Sequence, residues 1–327
     1  MHPQLGRIAT CMLLCAVALP PPLNAAETAY PTRAVRLIVP FAAGGSIDMM
    51  ARVIAGRLTE QLGQSVIIDN RPGAAGAIGA ELGARSAPDG YSLLVGSSST
   101  LVINPAITKK LTYDTLRDFA PVALLVRLPL VIVTHPSVPA RNTRELVALA
   151  KRNPGKLSFG SIGVGTANHL VGELFAHAAG VKMVHVPYKG GGAAAIALLS
   201  GDIEVQVSAP NTMLPFVRNA RIRPIATTGN TRAAVMPDVE TLVEAGYKEL
   251  GITGWFCIVG PAGLPPRIVE HWNGELRRAL NNTEIRNALL AEGMEPEVDS
   301  AEALGAMMRA ELPRWERAVA LAGVKPE

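Results

Sequence analysis

Residues 40–48 read Pro-Phe-Ala-Ala-Gly-Gly-Ser-Ile-Asp, between the apolar run Val35–Val39 and a stretch with helical spacing. Two glycines between a strand and a helix make a tight turn, or they bare backbone N–H groups to an anion. The first turn of a helix carries unpaired N–H groups and the positive end of its dipole, worth about 0.3–1 kcal/mol to a nearby negative charge. The pattern returns at Phe159-Gly-Ser-Ile-Gly-Val-Gly-Thr-Ala-Asn-His169, where Thr166 is placed to cap the helix. Either loop alone is also what helix-on-sheet packing asks for. As a pair, with Ser97–Thr100 beyond another strand, they point to two anion-reading ends across one cleft.

Other chemistry is poorly supported. Neither loop has the Lys-Ser/Thr or the spacing of a nucleotide motif, and no G-x-S-x-G elbow occurs. Cys257 sits in an apolar strand and reads as core. His169, Glu173 and His177 fall at i, i+4 and i+8, which suits a solvated helix face with an ion pair better than a metal site, so no metal and no cofactor is expected. His169, on the first turn, can also donate to a bound anion. Asp48 complements the dipole of its helix or fixes the loop. Tyr188-Lys189 is a plain turn, or it lines the cleft and adds positive charge.

These loops need strands and helices to aim them. Arg36–Pro40, Val66–Asp69 and Tyr91–Gly96 read as strands; a helix runs from Ile47 to Leu62 and a short one from Ala74 to Ser86. Val122–Thr134 is too long for one ordinary strand and reads as a crossing between domains. The alternation restarts: helices at 143–152, 166–179 and 193–199, strands at 157–160, 184–187, 203–207 and 222–227. Trp255–Val259 is a second apolar crossing. The expectation is α/β, with domain 1 at 27–125 plus 256–327 and domain 2 at 126–255, a cleft between them.

The 327 residues are 49% hydrophobic and 18% charged, enough for large cores. Arg7, the apolar run Ile8–Leu19, three prolines and Asn24-Ala-Ala26 have the layout of a secretory signal peptide over 1–26. Cys11 and Cys15 lie in it, leaving Cys257 alone and no internal disulfide. The formal net charge of +4 is scattered and aromatics are 4%, which argues against nucleic acid as a partner.

A set of motifs adds a resemblance: Arg36-Leu-Ile-Val-Pro-Phe with Gly44-Gly45 and Asp48, Asn70-Arg-Pro-Gly, Pro88-Asp-Gly-Tyr, Asp118-Phe-Ala-Pro-Val, Gly163-Val-Gly-Thr with His169-Leu, Gly172-Glu-Leu-Phe and His185-Val-Pro-Tyr-Lys-Gly. In this order, over nearly all of the mature chain, they resemble the Bug family, periplasmic receptors of tripartite tricarboxylate transporters. The resemblance implies a monomeric two-domain periplasmic binding protein of type II kind. Each domain would be a mainly parallel sheet flanked by helices, joined by two crossing strands and closing on a small organic carboxylate. It implies membrane transporter subunits as partners. It assigns Phe41, Ala43, Gly44 and Gly45 to one jaw, Ser161, Gly163, Gly165, Thr166 and His169 to the other, and Ser97 and Ser98 to the far end. Ala43 stands where the family usually has proline. Ser208 stands where amino-acid-binding relatives have aspartate, which removes a partner for a ligand ammonium group. A carboxylate sensor docking on a signalling receptor, or an enzyme acting on a carboxylate, remain open alternatives.

Overall fold

The computed structural model describes residues 30–324; the expected leader, with Cys11 and Cys15, lies outside them. β1 (Val35–Val39) is buried at nearly every position and runs between β2 (Val66–Asn70) and β3 (Ser92–Ser97), parallel to both. Between β1 and β2 lies α1 (Ser46–Leu62). Its Ile47, Met50, Ala51, Ile54 and Leu58 share one face at helical spacing and enter the core. Gly63 ends it at φ +62°, a left-handed turn that favours glycine. The helix expected from Ala74 is shorter. Ala74 and Ala75 take φ of +46° and +51°, and α2 (Ala77–Ala84) starts only after Gly76. A wide, π-helical stretch over Ser99–Ile103 leads from β3 into α3 (Asn104–Ile107).

The expected crossing strand splits in two. β4 (Phe119–Leu128) belongs to the first sheet and β5 (Val131–Thr134) to the second. Pro129, which has no N–H to offer a ladder, sits at the changeover. The second sheet follows through α4 (Thr143–Arg152), β6 (Ser158–Ser161), α5 (Ala167–Ala179), β7 (Val184–Pro187), α6 (Gly191–Ser200), β8 (Val205–Ser208), α7 (Pro210–Arg218) and β9 (Arg223–Thr227). The sequence reading has no counterpart of α7, because Pro215 inside it breaks the helical pattern. Leu130 and Thr228 then exchange hydrogen bonds of 2.8 Å where the chain returns. β10 (Gly254–Pro261) is not itself a crossing. It lies wholly in the first sheet, between β3 and β4 and antiparallel to both, so the return is made by the segment before it. α8 (Pro266–Asn281), α9 (Thr283–Ala291), β11 (Glu295–Pro296) and α10 (Ala301–Leu321) complete the first lobe.

Among the described residues the strand orders are β11-β4-β10-β3-β1-β2 and β7-β6-β8-β5-β9. Both sheets are mixed: every strand of the first except β10 and β11, and every strand of the second except β5, points one way. The result is the expected two-lobed α/β architecture. The α4/α5 face of the second sheet shares one continuous apolar core with the first lobe, whereas its α6/α7 face has a separate cluster around Val131, Val133, Leu198 and Met213. Helix α5 is therefore braced by the core of both lobes. No helix among the described residues is long and apolar enough to cross a membrane.

Candidate functional site

The first jaw is built where β1 runs out. Asn70, at the end of β2, donates from Nδ2 to the Phe41 carbonyl at 3.1 Å and to Asp48 Oδ1 at 2.9 Å. Asp48 Oδ2 accepts the Gly44 N–H at 2.8 Å and Arg52 Nε at 2.9 Å, and Arg52 Nη2 returns to Asn70 Oδ1 at 3.2 Å. Burial pushes the Asp48 carboxyl up, but Arg52, the Gly44 N–H and Asn70 outweigh it and hold the pKa below the ordinary value. An ionised Asp48 thus ties the loop to the helix behind it. The Gly44 N–H, expected at a ligand, is spent on that tie; Gly44 instead supplies a φ of +82°.

Gly45 is the cap position of α1, extended at φ −82°, and offers no side-chain bond to the first turn. Those N–H groups are left uncapped at a helix end that faces the other lobe, since the Ser46 hydroxyl donates to Asn211 Oδ1 at 2.6 Å. Ala43 and Gly44 are exposed; Phe41 is half-buried with its ring beside Gly76.

The second jaw is completed from within. Thr166 Oγ1 donates to the Gly163 carbonyl at 2.7 Å and accepts the His169 N–H at 3.4 Å. Ser161 Oγ accepts the Gly163 N–H at 3.1 Å and lies 2.7 Å from His185 Nε2. The Gly165 N–H donates to His169 Nδ1 at 3.4 Å. The first N–H of α5, on Ala167, crosses to Ser99 Oγ at 3.0 Å. Of the donors expected at an anion here, the Gly163, Gly165 and His169 N–H groups and the Thr166 hydroxyl are therefore bound inside the protein.

His169 is buried rather than on a solvated face, and its Nδ1 is taken by the Gly165 N–H. Accepting from Gly165 requires a bare Nδ1, so the proton sits on Nε2, 3.8 Å from Glu173 Oε1. The ring stacks on His185 at 4.0 Å. Burial lowers both imidazoles to about 4, His169 adding to the effect on His185, and the pair is neutral at pH 7. His177 is exposed, and His185 replaces it beside His169 and Glu173, with ligand-type atoms within 4.8 Å of one another. A metal-bound histidine donates from its free nitrogen. Here the free nitrogen of His169 accepts instead, and His169 and His185 brace the loop through Gly165 and Ser161.

The Ser97 hydroxyl is engaged by the Thr100 N–H at 3.2 Å and Thr100 Oγ1 at 3.2 Å. Ser98 and Ser208 are buried and enter none of these bonds. Tyr188 packs beside Gly160 and Lys189 is exposed, which fits a turn. Cys257 is fully buried, and burial pushes its thiol up, as core placement implies. Sequence reasoning passed over Arg52 and Asn211 and gave no site role of their own to Asn70 and His185, which it held only within motifs, or to Ser99, which it held only within the run Ser97–Thr100.

Comparison with known proteins bears on this cleft. The profile of the tripartite tricarboxylate transporter family receptor matches residues 50–324. Protein BugT of Bordetella pertussis is 35% identical over 297 residues, covering 90% of this chain and 91% of that one. Among solved structures, Rpa4515 of R. palustris with adipate superposes at a TM-score of 0.88 with 33% identity, over 91% of this chain and 100% of that one. MatC from Rhodopseudomonas palustris with bound malate gives 0.83 and 30%, over 89% and 100%.

Proposed function

The chain belongs to the tripartite tricarboxylate transporter receptor family, and from that premise we propose that it is a periplasmic receptor for a small organic carboxylate. The family is one of solute receptors, and an enzymatic role is set aside with it. The ligand enters the cleft between the lobes, and the closed form hands it to the membrane subunits of a tripartite transporter. Two bodies, with boundaries close to the expected ones near 125 and 255, hinge where Leu128–Leu130 passes Thr228. The leader-like segment at 1–26 supports export.

The observation that carries this reading is the uncapped start of α1 at Gly45. Its first-turn N–H groups replace water around one carboxylate, while Phe41, Ala43 and Gly44 shape the wall beside it. Ser161, Gly163, Gly165, Thr166 and His169 form the opposing, internally bonded wall. Ser98 and Ser208, with Ser97, meet the far end of the molecule through hydroxyls. Ser208 brings no negative charge, so an ammonium group finds no counter-ion there. The adipate and malate held by the relatives support the ligand class.

Thermal unfolding of the mature protein, refolded to strip carried-over ligand, tests this against mono-, di- and tricarboxylates and their neutral amides. A ligand at 100 times its dissociation constant adds about 2.7 kcal/mol. Stabilisation by a carboxylate and not by its amide is expected. Equal stabilisation by both, or none from any carboxylate, contradicts the reading.

A further inference from the structure

Among the described residues, two side-chain bonds join the lobes directly, and each lands on the first residue of a helix. Ser99 Oγ of the first lobe accepts the N–H of Ala167, which opens α5, at 3.0 Å. Ser46, which opens α1, donates its hydroxyl to Asn211 Oδ1 near the start of α7 at 2.6 Å. Ser99 is 6% exposed, so its bond is shielded from competing water. The lobes approach closely beside it: a Cβ placed on Gly165 would stand 3.4 Å from the Ala75 Cβ and 3.6 Å from Asn104 Oδ1.

We propose that Ser99 and Asn211 are positioning residues of closure, a latch that holds the two lobes together through the Ala167 N–H and the Ser46 hydroxyl and sets ligand affinity without touching the ligand. The inference rests on the receptor reading above. A receptor whose binding-competent form is only partly populated shows an apparent dissociation constant raised by that fraction. Each latch bond exists only when the lobes are together, so it raises the closed fraction before any ligand arrives. A typical protein hydrogen bond changes such an equilibrium roughly two- to tenfold. The latch also divides labour between the helix ends. Ser99 occupies the leading N–H of α5, which leaves the uncapped end of α1 to the anion.

The bond can be removed from either side. Ser99→Ala deletes the acceptor. Ala167→Pro deletes the donor at a position that tolerates proline: it is the first helical residue, and Thr166 before it is extended at φ −92° and ψ 160°. Small-angle X-ray scattering of the ligand-free mature chain reads closure. Titration with adipate and malate reads affinity. Each single variant should expand the ligand-free chain and weaken binding two- to tenfold through faster release. The double variant should go no further than either single, and Ser99→Thr should restore the parent behaviour. Unchanged scattering and affinity, or effects that simply add, overturn the latch. Because scattering needs no ligand, a latch intact in a protein that ignores every carboxylate would count against the receptor reading alone.

Discussion

Helices α1 and α5 start alike in sequence, each where a glycine-bearing loop leaves the carboxyl end of a strand, and they end up opposite in chemistry. At α5 the cap is Thr166, whose hydroxyl takes the His169 N–H, and Ser99, Ser161 and His169 take the neighbouring donors. At α1 the cap is Gly45, which has no side chain, and the stabilising carboxylate of Asp48 is turned back onto the loop at Gly44. One end is largely finished by the protein itself; the other is left uncapped and is the end proposed to read the carboxylate. Side chains at and around the cap make the difference.

Substitutions at the two ends should separate these roles. The largest loss of stability is expected from Asp48→Ala, which removes the acceptor shared by the Gly44 N–H, Arg52 and Asn70, at about 2 kcal/mol in urea unfolding. A loss near zero would mean that the tie contributes nothing to the α1 loop.

Acid should act first on the α5 side. Unfolding returns His169 and His185 from about 4 to the ordinary 6.5, so between those values the unfolded chain binds more protons and stability falls as pH drops. His185→Asn should flatten the melting temperature over this range. Asp48 acts lower: its folded pKa lies below the ordinary 3.8, so its contribution is present above that value and is lost as pH falls through it. An imidazole of His169 or His185 that titrates near 6.5 by NMR in the folded protein would break the assignment of a neutral buried pair.

Smaller effects sharpen the contrast. Thr166→Val removes a cap and should cost about 1 kcal/mol, with Thr166→Ser recovering most of it. Gly44→Ala meets no neighbour within 4 Å but must adopt φ +82°, at about 1 kcal/mol. If Gly44→Ala binds carboxylate as the parent does, the loop needs its conformation for folding only.

Much of the fold was legible because apolar spacing records burial: β1, α1 and the stop at Gly63 follow from local pattern. The left-handed Ala74-Ala75 was not, since alanine carries no sign of positive φ. Pro215 concealed α7 for the opposite reason, a local breaker overruled by packing. At the site, sequence located both glycine loops but could not say which donors are already spent. That depends on Ser99, His185 and Asn70, which come from distant parts of the chain, and on the ring orientation of His169.

The most direct test of the difference between the two ends is Gly45→Asp, followed by calorimetric titration and by its melting temperature. Aspartate is a favoured helix cap, and its Cβ would stand an ordinary 3.6 Å from the Ala42 carbonyl, so the fold should be as stable as before or more so. Its carboxylate would then occupy the place proposed for the ligand's, and affinity for the stabilising carboxylate should fall about a hundredfold. Parent affinity in a folded Gly45→Asp protein would place the anion elsewhere and contradict the account.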